Sequence, residues 1–263
     1  MSFISDNIKK INAENKKCLT VFLTAGFPAK DKFVDLALNV FDAGADIIEI
    51  GVPFSDPLAD GPVIQHSSQT ALDNGVTPEL VFDYVLQIRN KTDKPIVLMG
   101  YSNPILKYGI KKYAQRAVET GVNGLIIPDI PLEEYDDFIT DDFKNLDVIL
   151  LTTPTSSDER IKTIDNKSNG FLYCVSIAGT TGTNNQFGEK TLSNLKRTYN
   201  LVSKNKMQIG FGISTPDDVK MFSPFCDGVI VGSAVIKSLW NEKDSKDFPN
   251  TISLIKNLSA ACK

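Results

Sequence analysis

Two acidic residues stand where acid–base chemistry could be done. Residues 45–51, ADIIEIG, set Glu49 inside an otherwise apolar stretch of strand length. Side chains alternate along a strand, so Glu49 shares a face with Ile47 while Ile48 and Ile50 take the other. With the two isoleucines packed outward under helices, Glu49 points into a barrel, near the strand's C-terminal end. A carboxyl held there loses water, its pKa rises, and it can exchange protons near neutrality. A structural Glu in a buried ion pair fits this motif equally well. The next segment, VPFSDPLADGP (52–62), holds Pro53, Pro57, Pro62 and Gly61, which stiffen a long loop. Taken alone, Asp60 before Gly61 reads as a turn former, as does Asp56 before Pro57. Their place after the Glu49 strand makes them candidates, because two carboxyls in one site can divide acid and base roles.

Three glycine-bearing stretches suggest an anion site: AGTTG (178–182), GFGIS (210–214) and VGSA (231–234). Each can aim backbone N–H groups at an oxyanion, and the last opens a helix whose dipole favours negative charge. A single such glycine often only permits a tight turn. Three of them, after the sixth, seventh and eighth strand-like runs, indicate a phosphate site. That would let a chain of net charge −4 hold an anionic substrate without an arginine cluster. Phe22, Met99, Tyr101 and Tyr173 read first as core. Near strand ends, the same residues would make apolar walls for a planar aromatic ligand.

Other chemistries lack their parts. His66 is the single histidine and lies in a polar run, so it reads as surface. A histidine triad or a multi-histidine metal site is then nearly excluded. Cys18, Cys174, Cys226 and Cys262 are far apart with no CxxC pair, which argues against a disulfide framework or zinc and suits a reducing cytosol. No metal site is expected. The net charge argues against nucleic acid or an anionic membrane as main partner. The first residues lack the apolar core of a signal peptide, and no apolar run approaches the roughly 20 residues needed to span a bilayer. A cytoplasmic protein is expected.

The elements that would position these residues follow from periodicity. Strand-length apolar runs occur at 19–25, 46–52, 96–101, 124–128, 148–152, 171–176, 208–212 and 228–232. Their near-continuous hydrophobicity suits parallel strands covered on both faces. Amphipathic stretches at 31–43, 77–90, 111–120 and 192–204 lie between them. Eight such units with no linker predict one α/β domain over residues 1–263, a single (β/α)₈ TIM barrel. An open doubly wound sheet is the alternative, but no GxGxxG follows the first strand. Residues 2–14 are expected to form a helix under the barrel, 233–240 a short extra helix after strand 8, and 247–262 the closing helix.

The longer motifs resemble the tryptophan synthase alpha subunit. They are FLTAGFP (22–28), ADIIEIGVPFSDPLADGPVIQ (45–65), MGYSNPI (99–105), IIPDIPLEE (126–134), YCVSIAGTTG (173–182), GFGIS (210–214) and VGSA (231–234). They occur in the family's order and cover nearly the whole chain, and the 45–65 motif is highly specific. The resemblance implies a carbon–carbon lyase of tryptophan biosynthesis. Its reaction is reversible retro-aldol cleavage of indole-3-glycerol phosphate to indole and glyceraldehyde 3-phosphate, without a cofactor. By position, Glu49 would be the acid–base group, and Asp60 would accept the indole N–H and stabilise the protonated indolenine. Thr181 would order Asp60 when its loop closes. Gly182, Phe211, Gly212, Gly232 and Ser233 would hold phosphate. Phe22, Ile64, Met99, Tyr101, Ile126, Thr152, Tyr173 and Ile230 would contact substrate.

The resemblance further implies a beta subunit partner in an α₂β₂ tetramer. Pro53, Asp56 and Asn103 match contact positions, and pyridoxal phosphate belongs to the partner alone. Thr180, where the family usually has Val, Ile177, where some members have Arg, and Ser102, often Tyr or Ala, depart from the pattern. A standalone lyase releasing free indole, a phosphosugar isomerase or epimerase on the same barrel, and a non-catalytic activator of a beta subunit are the alternatives. The isomerase would need no aromatic pocket, and retention of both carboxylates speaks against the activator.

Overall fold

In the computed structural model, which describes residues 2–176 and 188–263, parallel strands form a barrel with helices outside. The strands are β1 (Cys18–Thr24), β2 (Ile47–Gly51), β3 (Ile96–Met99), β4 (Gly124–Ile126), β5 (Asp147–Ile149 continued by Leu151–Thr152), β6 (Leu172–Val175), β7 (Met207–Gly210) and β8 (Gly228–Val231). The two halves of β5 sit at opposite ends of the hydrogen-bonded order, one against β4 and the other against β6. They are consecutive in the chain, and the Leu150 carbonyl between them accepts the Tyr173 N–H at 3.0 Å. The sheet therefore closes on itself. Each strand falls within two residues of its expected run, and the doubly wound alternative is overturned by this closure.

Closure gives every strand an inner and an outer face. Ile48 and Ile50 join the large apolar layer between sheet and helices, with Leu23, Leu98, Val229 and Leu258. Ile47 belongs to a separate inner cluster with Val97, Ile126, Ile149, Tyr173 and Ile230. The helix Phe3–Ala13 contributes fully buried Ile4 and Ile8 to that inner cluster, so it plugs the barrel's N-terminal end. Its first turn is capped by Ser2, whose hydroxyl accepts the Ser5 N–H and donates to Asp147 at the start of β5. Core burial at one end thus leaves the other end, where the strands finish, as the open mouth.

Helix boundaries follow local chemistry. Thr77 accepts the Leu80 N–H and Pro78 occupies the first turn of Pro78–Arg89, a combination suited to a helix start. Thr215 and Asp218 form a reciprocal capping box at the start of Pro216–Phe222. The extra helix after β8 spans Ser233–Asn241, and Pro249–Ala261 closes the chain. No helix among the described residues is long and apolar enough to cross a membrane.

Candidate active site

The mouth holds a cavity walled by Phe22, Ile64, Met99, Ile126, Tyr173 and Ile230. Glu49 and Asp60 both line it. Glu49 sits opposite Phe22 of β1 and Val97 of β3 in register, on the inner face with Ile47, as alternation requires. It is 4% exposed, and among the described residues its Oε2 has no hydrogen-bond partner and no cation pairs with it, which removes the buried ion pair as its explanation. Burial pushes its pKa up to about 8, with the nearby Asp60 charge adding to the effect. Burial thus favours the protonated form of Glu49.

Asp60 reaches the same cavity from the loop after β2. That loop is tied down at several points. The Phe54 N–H donates to Ser68 Oγ at 2.8 Å, and Ser68 Oγ donates back to the Phe54 carbonyl. Around Asp60 itself, its N–H donates to the Pro57 carbonyl, while Gln65 Nε2 donates to the Asp60 carbonyl at 2.8 Å. The side chain is buried, and Tyr101 Oη donates to Oδ2 at 2.9 Å. Burial raises its pKa to about 6, and the Tyr101 hydrogen bond pulls in the opposite direction. Two carboxyls share one apolar cavity, and only Asp60 has a phenol donor that favours its charged form, an arrangement suited to an acid beside a stabilising anion.

Two glycines make room for the aromatic walls. A Cβ on Gly51 would lie 2.5 Å from the Phe22 ring, and one on Gly210 would lie 2.1 Å from Tyr173 Oη. Gly51→Ala is therefore expected to force the Phe22 ring into the cavity, costing about 1–3 kcal/mol of overpacking. Substrate KM should rise roughly tenfold with the far-UV spectrum retained. An unchanged KM would mean that Phe22 does not bound the substrate space.

The loops after β7 and β8 complete the lining. Phe211 and Gly212 take left-handed conformations (φ +74° and +80°), and Gly212, Gly232 and Ser233 line the cavity beside Phe211. Gly232 is the N-cap of Ser233–Asn241, so the first turn of that helix opens onto the site. Gly182, Thr181, Thr180 and Ile177 lie outside the described residues. Among the described residues no group of His, Cys, Asp or Glu could hold a metal, and the four cysteines are free and buried.

The structure places two expected substrate contacts away from the cavity wall. Thr152 does not line the cavity; Leu151 does, because Thr152 pairs in register with Cys174, whose side chain joins the outer layer. Tyr101 stands behind Asp60 rather than on the wall. Of the three positions matched to a partner contact, Pro53 is buried in the loop, whereas Asp56 and Asn103 are exposed. Ala59, Pro128 and Ile213 also line the cavity without having been anticipated. Leu151 was readable from the alternation with Ile149; the other three sit on loops, where no periodicity applies. His66 is exposed, and its ring stacks on Trp240 at a centroid distance of 3.4 Å. The departure at Ser102 is accommodated locally, since its N–H and hydroxyl both donate to Asp129.

This geometry has counterparts among known proteins. Residues 8–261 match the family model described as tryptophan synthase alpha chain. A tryptophan synthase alpha chain from Christiangramia forsetii is 42% identical over 248 residues, covering 94% of this chain and 96% of the relative. One from Petrotoga mobilis is 44% identical over 250 residues, covering 94% and 93%. The crystal structure of tryptophan synthase subunit alpha from Legionella pneumophila superposes with a TM-score of 0.88 at 36% identity, covering 100% of this chain and 98% of that one. Matches spanning nearly the full barrel, together with the two buried carboxyls at its mouth, establish that the chain belongs to the tryptophan synthase alpha chain family.

Proposed function

We infer that this chain is the lyase subunit that cleaves indole-3-glycerol phosphate reversibly to indole and glyceraldehyde 3-phosphate. The observation that carries the reading is the buried Glu49, its Oε2 without a hydrogen-bond partner among the described residues, facing an apolar cavity that Asp60 also lines. The apolar walls suit an indole ring, and the helix start at Gly232–Ser233 suits a phosphate. Glu49 donates its proton to C3 of the indole, and Asp60 accepts the ring N–H and stabilises the resulting cation. The Glu49 carboxylate then takes the proton of the glycerol hydroxyl as the carbon–carbon bond breaks. Its electrons return to the ring, which leaves as neutral indole, and the hydroxyl carbon becomes the aldehyde. One residue serves both transfers, so the enzyme ends each cycle in its starting state and needs no cofactor.

On this reading residues 1–263 act as one barrel domain in the cytoplasm. A pyridoxal-phosphate beta subunit docks over the mouth in an α₂β₂ assembly and receives the indole. Exposed Asp56 and Asn103 flank that mouth and are the residues assigned to the contact. The decisive assay adds indole-3-glycerol phosphate to the chain with and without a beta subunit and measures indole. Formation raised by the partner supports the subunit role; no indole in either case refutes the activity. Gly232→Asp provides a separate check. A carboxylate beside the helix start should repel phosphate and raise KM by about tenfold to a hundredfold. Unchanged affinity would remove Gly232 from the phosphate site.

A further inference from the structure

We propose that Tyr101 is a positioning residue whose phenol holds the Asp60 carboxylate, ionised, in the orientation in which it meets the substrate's ring N–H. The inference rests on the role given to Asp60 above. A tyrosine hydroxyl has one proton to give, and here Asp60 Oδ2 takes it at 2.9 Å. The phenol oxygen itself accepts the Ala59 N–H at 3.1 Å. The phenol thus grips both the carboxylate and the backbone one residue before it, and it has no proton left to donate to a substrate. Its own placement is firm. Tyr101 is 3% exposed, and its ring packs at a tilt against Phe54 with centroids 5.3 Å apart. Its backbone is the N-cap of the helix Ser102–Tyr108, whose first N–H is held by Asp129. A group anchored just beyond β3 therefore fixes a carboxylate carried on the loop after β2.

The charges around this pair set the direction of its titration. Glu49 on β2 and Tyr173 on β6 feel the Asp60 charge, and Asp129 adds a further negative charge near Tyr101. All of these oppose ionisation in the cluster. The Tyr101 bond works against them by favouring the Asp60 carboxylate. Losing that bond raises the pKa of Asp60, so a reaction that needs Asp60 ionised fails at higher pH than before.

The test is Tyr101→Phe, which keeps the ring and its packing, studied in the full chain with a tryptophan synthase beta subunit present. We expect kcat to fall about tenfold, the loss of one hydrogen bond to a charged group, with KM within about twofold. The acidic limb of the kcat/KM profile should move to higher pH. In an Asp60→Asn background the same change should cost little more, since the group it positions has lost its charge. A raised KM with an unmoved acidic limb would make Tyr101 a substrate contact and overturn the proposal. An unchanged profile and kcat would reduce it to packing and overturn it equally, while an inactive Asp60→Asn enzyme would leave the role of Asp60 standing. Near-normal turnover by Asp60→Asn alone would instead sink the role of Asp60, and this proposal with it. Because Phe preserves the buried ring, a thermal melt close to that of the parent is expected. Infrared titration of the Asp60 carboxyl provides a second readout independent of turnover.

Discussion

Glu49→Gln should abolish nearly all indole formation, lowering kcat by roughly 10³-fold or more while substrate affinity stays within a few-fold. Gln fills the same volume and can still donate a hydrogen bond, but it can neither give up a proton to carbon nor accept one from a hydroxyl. Both transfers therefore fail together. Appreciable turnover in a variant free of parent enzyme would sink the assigned role. The same substitution carries a second, opposite effect. The Glu49 carboxyl has its pKa raised to about 8 from an ordinary 4.5, because burial disfavours the charged form. The folded protein thus holds a proton that the unfolded chain gives up. That contribution to stability is fully present below the unfolded pKa and is lost as pH rises through about 8. A difference of this size corresponds to on the order of 4–5 kcal/mol at its limit. Glu49→Gln should therefore melt near the parent at pH 5 and clearly above it at pH 9. Melting curves that track each other at both pH values would show that the carboxyl is not desolvated as the structure has it.

Asp60→Asn is expected to reduce kcat by about 10²–10³-fold, the scale of removing a preorganised charge from a dry site. Asn before Gly is as good a turn former as Asp. The substitution therefore leaves the loop its turn and removes only the charge, which separates the two readings that the Asp60-Gly61 pair allows. A near-normal rate would return Asp60 to turn former. In the parent, the pair should give a bell-shaped kcat/KM profile, falling below about 6 as Asp60 gains a proton and above about 8 as Glu49 loses one. Removing the Asp60 charge also relieves its repulsion of the Glu49 carboxylate, so Glu49 becomes easier to ionise. The residual activity of Asp60→Asn should accordingly lose its acidic limb and have its alkaline limb moved to lower pH. An alkaline limb that stays in place would mean that the two carboxyls do not sense each other.

The residues differ in how far the chain alone disclosed them. Glu49 was legible because its side follows from its own strand: period-two alternation against Ile48 and Ile50 is local and survives any tertiary arrangement. The eight βα units, the helix under the barrel and the helix after β8 were legible for the same reason, each being written in contiguous periodicity and caps. The glycines after β7 and β8 were visible as candidates, and the structure sets Gly212 and Gly232 on one cavity wall. Thr152 shows the limit of carrying positions over by resemblance. Its strand was placed correctly, yet alternation with Ile149 and the register with β6 turn Leu151, not Thr152, inward.

The succession of strands and helices and the inward phase of Glu49 are written in the chain itself, while its family resemblance marked Asp60 as a candidate. Barrel closure is what buries Asp60 beside Glu49 in one cavity, sets Tyr101 against it, and leaves Gly51 and Gly210 bare so that Phe22 and Tyr173 can lie across them. The physical reason is the range of the forces. Alternation and capping act over a few residues and are written in consecutive letters. Desolvation of a loop carboxyl and the reach of a phenol from a neighbouring strand arise only when barrel closure brings distant segments together.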